Sequence, residues 1–152
     1  MLSLNNLMSS SNNTELVVTN TLKNGDIVLI DGSPCKILKY SSAKTGKHGS
    51  SKTMFDCRNL LSGKNVQTFA PTKGTMEVPV VMRETFTVIG ISYYDYLTLM
   101  RNGKLREDVI CPNDEIGEQI RSLLGNDKTA EIVLMTVLDH NLILSARESS
   151  DV

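Results

Sequence analysis

Two β-prone segments flanking a thirteen-residue polar stretch constrain this chain more than any other feature of its sequence. The stretch, residues 41–53, reads SSAKTGKHGSSKT and carries no large apolar side chain. It can add nothing to a hydrophobic core, and its backbone polar groups are most easily satisfied in water, so it should project from the body. On its upstream side lie Ile27, Val28, Leu29 and Ile30, a turn at Asp31-Gly32-Ser33-Pro34, and a second strand-like run, partly alternating, over residues 35–40. On its downstream side, residues 54–61 read MFDCRNLL and end at Ser62-Gly63-Lys64-Asn65. This order predicts a long hairpin with residues 41–53 as its loop. Gly46 and Gly49 bracket Lys47 and His48, and glycine allows the backbone conformations that a narrow tip needs. With half of the loop running outward at ~3.3 Å per residue, the tip would reach roughly 20 Å from the body.

The rest of the chain reads as further short strands broken by turns. Residues 67–71 and 78–82 complete a first small barrel, and the polar Arg83-Glu84-Thr85 places a boundary between residues 84 and 85. Strands are then expected over 86–93, 96–101, 104–111 and 131–138, with a fifth over 142–146 and a tight turn at Asn102-Gly103. One helix interrupts this half. Pro112-Asn113-Asp114-Glu115 opens it, Ile116, Ile120, Leu123 and Leu124 share one face, and Gly125 closes it. Five strands with one late helix suit an OB-fold. The fold class is therefore mainly β: residues 1–16 form a disordered tail of low apolar content, 17–84 a first barrel bearing the projecting loop, and 85–152 an OB-fold domain. Tyr93, Tyr94 and Tyr96 are the obvious stacking candidates of an OB-fold, but in an acidic half they read as packing residues.

Charge is unevenly divided. Residues 1–84 hold ten basic and six acidic side chains, a net +4, whereas residues 85–152 carry −5. Lys36, Lys39, Lys44, Lys47, Lys52, Arg58 and Lys64 face a single acid, Asp56, so any anionic partner belongs to the first half. A phosphate-cradling P-loop is excluded, because Ser41 and His48 stand where that motif needs glycine and Ser or Thr. Cys35, Cys57 and Cys111 are too widely spaced for a zinc ribbon, and the only histidines are His48 and His140, so neither a metal nor another cofactor is expected. No acid, base and nucleophile set converges in the sequence, which assigns no catalytic residue and argues against an enzyme. The first residues lack a basic n-region, and no apolar run reaches membrane-spanning length, so a cytoplasmic protein without a membrane partner is expected. A general single-strand RNA-binding module, acting without any modified residue, remains open on composition alone.

The loop Lys44-Thr45-Gly46-Lys47-His48-Gly49 resembles the modification site of the eukaryotic and archaeal translation initiation factor 5A family, hypusine-containing elongation factors related to bacterial elongation factor P. The resemblance extends through Asp31-Gly32-Ser33-Pro34-Cys35-Lys36, Ser62-Gly63-Lys64, Met76-Glu77-Val78-Pro79, Tyr96-Leu97-Thr98-Leu99 and Arg106-Glu107-Asp108 to residues 132–138. Ser50 departs from the histidine common in eukaryotic members.

This resemblance implies an SH3-like barrel followed by an OB-fold. It implies that Lys47 is the hypusine residue, receiving an aminobutyl group derived from spermidine through deoxyhypusine synthase, with deoxyhypusine hydroxylase completing the modification. Lys44, Thr45, Gly46, His48, Gly49 and Lys52 would contact the ribosome, tRNA or modifying enzyme. The implied function is that of a translation factor binding the large ribosomal subunit beside peptidyl-tRNA. There it would promote peptide-bond formation at stalled sequences such as polyproline, in elongation and also in termination.

Overall fold

A computed structural model describes residues 13–44 and 49–150, except for the side chain of Lys44. The chain divides between Val80 and Val81 into two compact units. The first contains strands β1 (Thr14–Val18), β2 (Ile27–Ile30), β3 (Ser33–Lys44), β4 (Ser51–Asn59), β5 (Asn65–Pro71) and β6 (Thr75–Pro79). The second contains β7 (Val81–Ile91), β8 (Tyr96–Arg101), β9 (Lys104–Ile110), helix α1 (Glu115–Gly125), β10 (Ala130–Val137) and β11 (His140–Glu148).

In the first unit, β2-β3-β4-β5 form an antiparallel sheet and β1 pairs with β6 in a second. β6 packs on β2, and the two sheets curl around Leu22, Val28, Cys35, Ile37, Phe55, Cys57, Ala70 and Val78 as an SH3-like half-barrel. The period-two pattern explains the packing. Along β4, Thr53, Phe55 and Cys57 are buried while the residues between them are not. The Asp31-Gly32 turn joining β2 to β3 places both residues at positive φ, 51° and 79°, the twist that suits a two-residue hairpin.

Three expectations change here. Thr14, Glu15 and Leu16, assigned to the tail on composition, belong to β1, whose pairing with Glu77, Val78 and Pro79 supplies the backbone partners that a short polar sequence does not advertise. The run expected as one strand over 78–82 breaks at Val80, whose N–H donates to the carbonyl of Asn13. The boundary expected between 84 and 85 falls instead before Val81. Arg83, Glu84 and Thr85 sit inside β7, paired with Met135, Leu134 and Val133, because a ladder needs backbone groups rather than apolar side chains.

The second unit is a five-stranded antiparallel sheet in the order β11-β10-β7-β8-β9, with the helix inserted between its third and fourth strands, the topology of an OB-fold. Asn102 and Gly103, at φ 50° and 75°, make the expected turn between β8 and β9. The Asp114 carboxylate accepts from Gly117 N–H at 2.9 Å and caps α1. Ile120 is fully buried against Val88, Leu97, Leu99 and Ile132, with Ile116, Leu123 and Leu124 flanking it. Burial of one such side chain stabilises by about 1.5–3 kcal/mol. Gly117 is required at the entry to this helix, since a Cβ there would lie 1.8 Å from the Pro112 carbonyl oxygen. Gly117→Ala should therefore destabilise the protein by about 1–3 kcal/mol, read as a lower urea midpoint with unchanged slope.

All three cysteines are free and buried. Cys57 is pushed up to about 11, chiefly by burial and further by Cys35 and Asp56, and burial raises Cys35 as well. The folded state thus holds the thiol proton more tightly than the unfolded chain. Stability from this source is complete below the ordinary thiol value of 9.0 and lost as pH rises towards about 11. Urea melts between pH 9 and 11 should show a steeper loss for the parent than for Cys57→Ala.

Candidate functional site

The hairpin predicted from the sequence is present, and it is longer in its regular part than expected. Ser41, Ser42, Ala43 and Lys44 continue β3, and Ser51, Lys52 and Thr53 begin β4. Their register pairs Ser41 with Met54, Ser42 with Thr53, Ala43 with Lys52 and Lys44 with Ser51. The thirteen-residue loop is therefore corrected to a β-ribbon, and only residues 45–50 lie beyond its last strand pair. Serine, lysine and alanine carry weak strand preference, so tertiary pairing rather than propensity sets this extension.

Side-chain hydroxyls hold the ribbon near its outer end. Ser42 Oγ and Thr53 Oγ1 are 2.9 Å apart, Thr53 Oγ1 and Thr72 Oγ1 2.9 Å, and Thr72 Oγ1 and Ser51 Oγ 2.9 Å. Thr72 N–H also donates to the Ser51 carbonyl at 2.9 Å, which ties the turn after β5 to the start of β4. Thr53 is 2 % exposed, so its hydroxyl depends on these partners.

Of the residues singled out in the sequence, Thr45, Gly46, Lys47 and His48 lie outside the described residues, as does the Lys44 side chain. The backbone of Lys44 ends β3, Gly49 lies shortly before β4, and Lys52 presents an exposed side chain on β4. The ribbon thus brings Lys44 and Lys52 to one end of the first unit. Asp56, the acid within the basic run, is answered by Lys39 Nζ at 3.5 Å and by Gln67 Nε2, which donates at 2.6 Å. Lys36, Lys52, Arg58 and Lys64 form no ion pair among the described residues, so their charge faces outward.

Sequence reasoning missed Ser51, Thr53 and Thr72. Alternation of Thr53 with Phe55 and Cys57 was a usable signal that a hydroxyl would be buried, but nothing local pointed to Thr72, whose partners are 19 and 21 residues away. Tyr93 and Tyr94 also depart from expectation. Rather than packing on the core they are 92 % and 76 % exposed and meet edge to face at 5.2 Å between centroids, because the turn at Ser92–Asp95 points them outward.

An SH3-like barrel carrying a basic ribbon, joined to an OB-fold, defines a two-domain, mainly β architecture. Residues 12–74 match the family model described as "Translation initiation factor 5A-like, N-terminal", and residues 80–147 match "Eukaryotic elongation factor 5A hypusine, DNA-binding OB fold". The eukaryotic translation initiation factor 5A of Spodoptera exigua is 42 % identical over 117 residues, covering 76 % of this chain and 71 % of its own length. That of Drosophila melanogaster is 38 % identical over 131 residues, covering 86 % and 80 %. A solved structure of a translation initiation factor of this family from Naegleria fowleri superposes with a TM-score of 0.78 at 30 % identity, covering 89 % of this chain and 99 % of its own. The Methanococcus jannaschii protein gives 0.69 at 26 % identity, covering 89 % and 96 %. The chain belongs to the translation initiation factor 5A family.

Thr53→Val keeps the shape of the side chain and removes one of the two inner hydroxyls. It should cost about 1 kcal/mol in a urea melt and speed amide exchange at Ser42 and Ser51 more than at Cys57.

Proposed function

We propose that Lys47 is the modified and working residue of this translation factor. Deoxyhypusine synthase would transfer an aminobutyl group derived from spermidine to its amine, and deoxyhypusine hydroxylase would complete hypusine. The observation that supports this reading most directly is the register of the ribbon. Lys44 pairs with Ser51, so the short segment holding Lys47 begins where two strands already in regular pairing end. A ribbon resists bending better than a thirteen-residue loop would, and ordering fewer free residues lowers the entropic cost of presenting one amine in a cleft.

The modified side chain would carry two cationic nitrogens on a longer stem, so it could donate to phosphate or ribose oxygens beyond the reach of lysine. On the large ribosomal subunit, beside peptidyl-tRNA, such an arm would steady the acceptor end. Proline has a fixed φ and is a poorly placed nucleophile, so a stalled polyproline sequence has most to gain from an orienting contact. The reaction itself belongs to the ribosome, and the protein acts as substrate of its modifying enzyme rather than as a catalyst. Lys44, Thr45, Gly46, His48, Gly49 and Lys52 would flank the arm as RNA or enzyme contacts. The excess of basic groups in the first unit suits such a surface.

Protein purified from its own cells should have an intact mass raised by the added group at Lys47, and Lys47→Arg should have the unmodified mass of its sequence. In reconstituted translation Lys47→Arg should lower oligoproline synthesis to the level without factor while leaving proline-free messages unchanged. An RNA-binding module acting through charge alone would keep its activity in that variant.

A further inference from the structure

The hydroxyl chain near the outer end of the ribbon borders a cavity that the proposed role of Lys47 does not use. An open cleft of about 560 Å³ is lined by Asn20, Gly49, Ser50, Ser51, Pro71, Thr72, Lys73 and Gly74. Two members of the chain, Ser51 and Thr72, stand in its wall. Gly74 closes the turn beneath it, its N–H donating to the Pro71 carbonyl at 2.9 Å and its own carbonyl accepting from Thr19 N–H at 2.9 Å. Behind that wall the Thr19 hydroxyl is buried and has no hydrogen-bond partner among the described residues.

Proton counting says what this wall can offer. A hydroxyl has one proton to donate and two lone pairs. Where the four hydroxyls donate in one direction along the chain, their three hydrogen bonds use three protons, so the terminal hydroxyl that only accepts keeps a free O–H and a lone pair remains at every oxygen. No contact in the chain has a fixed donor, since each joins two hydroxyls. The chain can therefore run towards Ser51, leaving Ser51 to donate into the cleft, or away from it, leaving Ser51 to accept. An end that can do either complements a ligand hydroxyl, which also donates and accepts. Lys73 adds an ammonium on the same wall, exposed and with no ion pair among the described residues, suited to an anionic oxygen.

We infer that this cleft is a ribose–phosphate subsite for single-stranded RNA, with Ser51 and Thr72 reading a ribose hydroxyl and Lys73 holding the adjoining phosphate. A sugar hydroxyl beside a phosphate distinguishes RNA from DNA and from free phosphate. The inference rests on the reading that the end of the ribbon faces RNA, but it does not require Lys47 to be modified.

The test uses full-length, isotopically labelled protein made without the modifying enzyme, titrated with oligouridylate, with oligodeoxyuridylate of equal length and with inorganic phosphate. Oligouridylate should shift the amides of Ser50, Ser51, Thr72, Lys73 and Gly74 and bind roughly fivefold tighter than the deoxy strand, the discrimination one hydrogen bond confers. Ser51→Ala should remove that preference, and Thr72→Val, which cuts the chain differently, should do the same. Lys73→Ala should weaken both strands equally and flatten the salt dependence. Equal binding of the two strands by the parent, RNA shifts confined to other residues, a ribose preference surviving in folded Ser51→Ala and Thr72→Val, or phosphate binding with no effect of ribose would each overturn the subsite. Because the protein carries an unmodified Lys47, failure here leaves the hypusine reading untouched, and an unmodified mass in cells leaves this one standing.

Discussion

The antiparallel ladder between β3 and β4 is the constraint on which the first unit depends. Those strands share a register from Cys35↔Asn59 in the core to Lys44↔Ser51 at the outer end, with one irregularity between Ile37 and Lys39. One pair of strands therefore does two jobs. Near the body Ile37, Phe55 and Cys57 bury their side chains and stabilise the barrel. Further out the same backbone hydrogen bonding continues where no apolar side chain is left to bury. β5 runs along the other side of β4 as far as Lys52↔Pro71, so the polar part of β3 and β4 is braced within a sheet and does not stand as an isolated two-stranded hairpin, which would be marginal in water.

The outer part of the ribbon is held by small polar groups in place of hydrophobic contact. Thr53, Thr72, Ser51 and Ser42 replace a water-satisfied loop with protein-satisfied hydroxyls, and the turn after β5 becomes a brace for the start of β4. Because hydroxyls are short and uncharged, they brace the ribbon without neutralising Lys52 or the other basic groups along it. Asp56, on the outer face of β4, is paired with Lys39 and Gln67, so it does not neutralise Lys52. The second unit carries the acidic excess and contributes a core of its own around Ile120, Leu97 and Ile132.

Much of this was legible in the residues. Asp31-Gly32 and Asn102-Gly103 announce turns because few other pairs tolerate two successive positive φ angles. Asp114, Ile116, Ile120, Leu123 and Leu124 announce one capped, one-sided helix. β1 and the outward run of β3 and β4 were not legible, for a shared reason. Their residues are polar or small, and they become strands only because a partner strand supplies their hydrogen bonds. Tyr93 and Tyr94 misled in the opposite direction, since aromatic character alone does not say which way a turn points its side chains.

The sequence by itself determined two small β-rich bodies, one inserted helix, a basic first half, a glycine-flanked Lys47 and the likeness to a family of translation factors. Each of these is written in local spacing, composition or a contiguous motif. Only the tertiary structure decided how far β3 and β4 stay paired, that Ser51, Thr53 and Thr72 meet near the outer end of that pairing, and that a cleft lies beside them. Those facts depend on pairing between residues distant in the chain, and hydrogen bonds between such residues leave no periodic trace in the sequence of either strand.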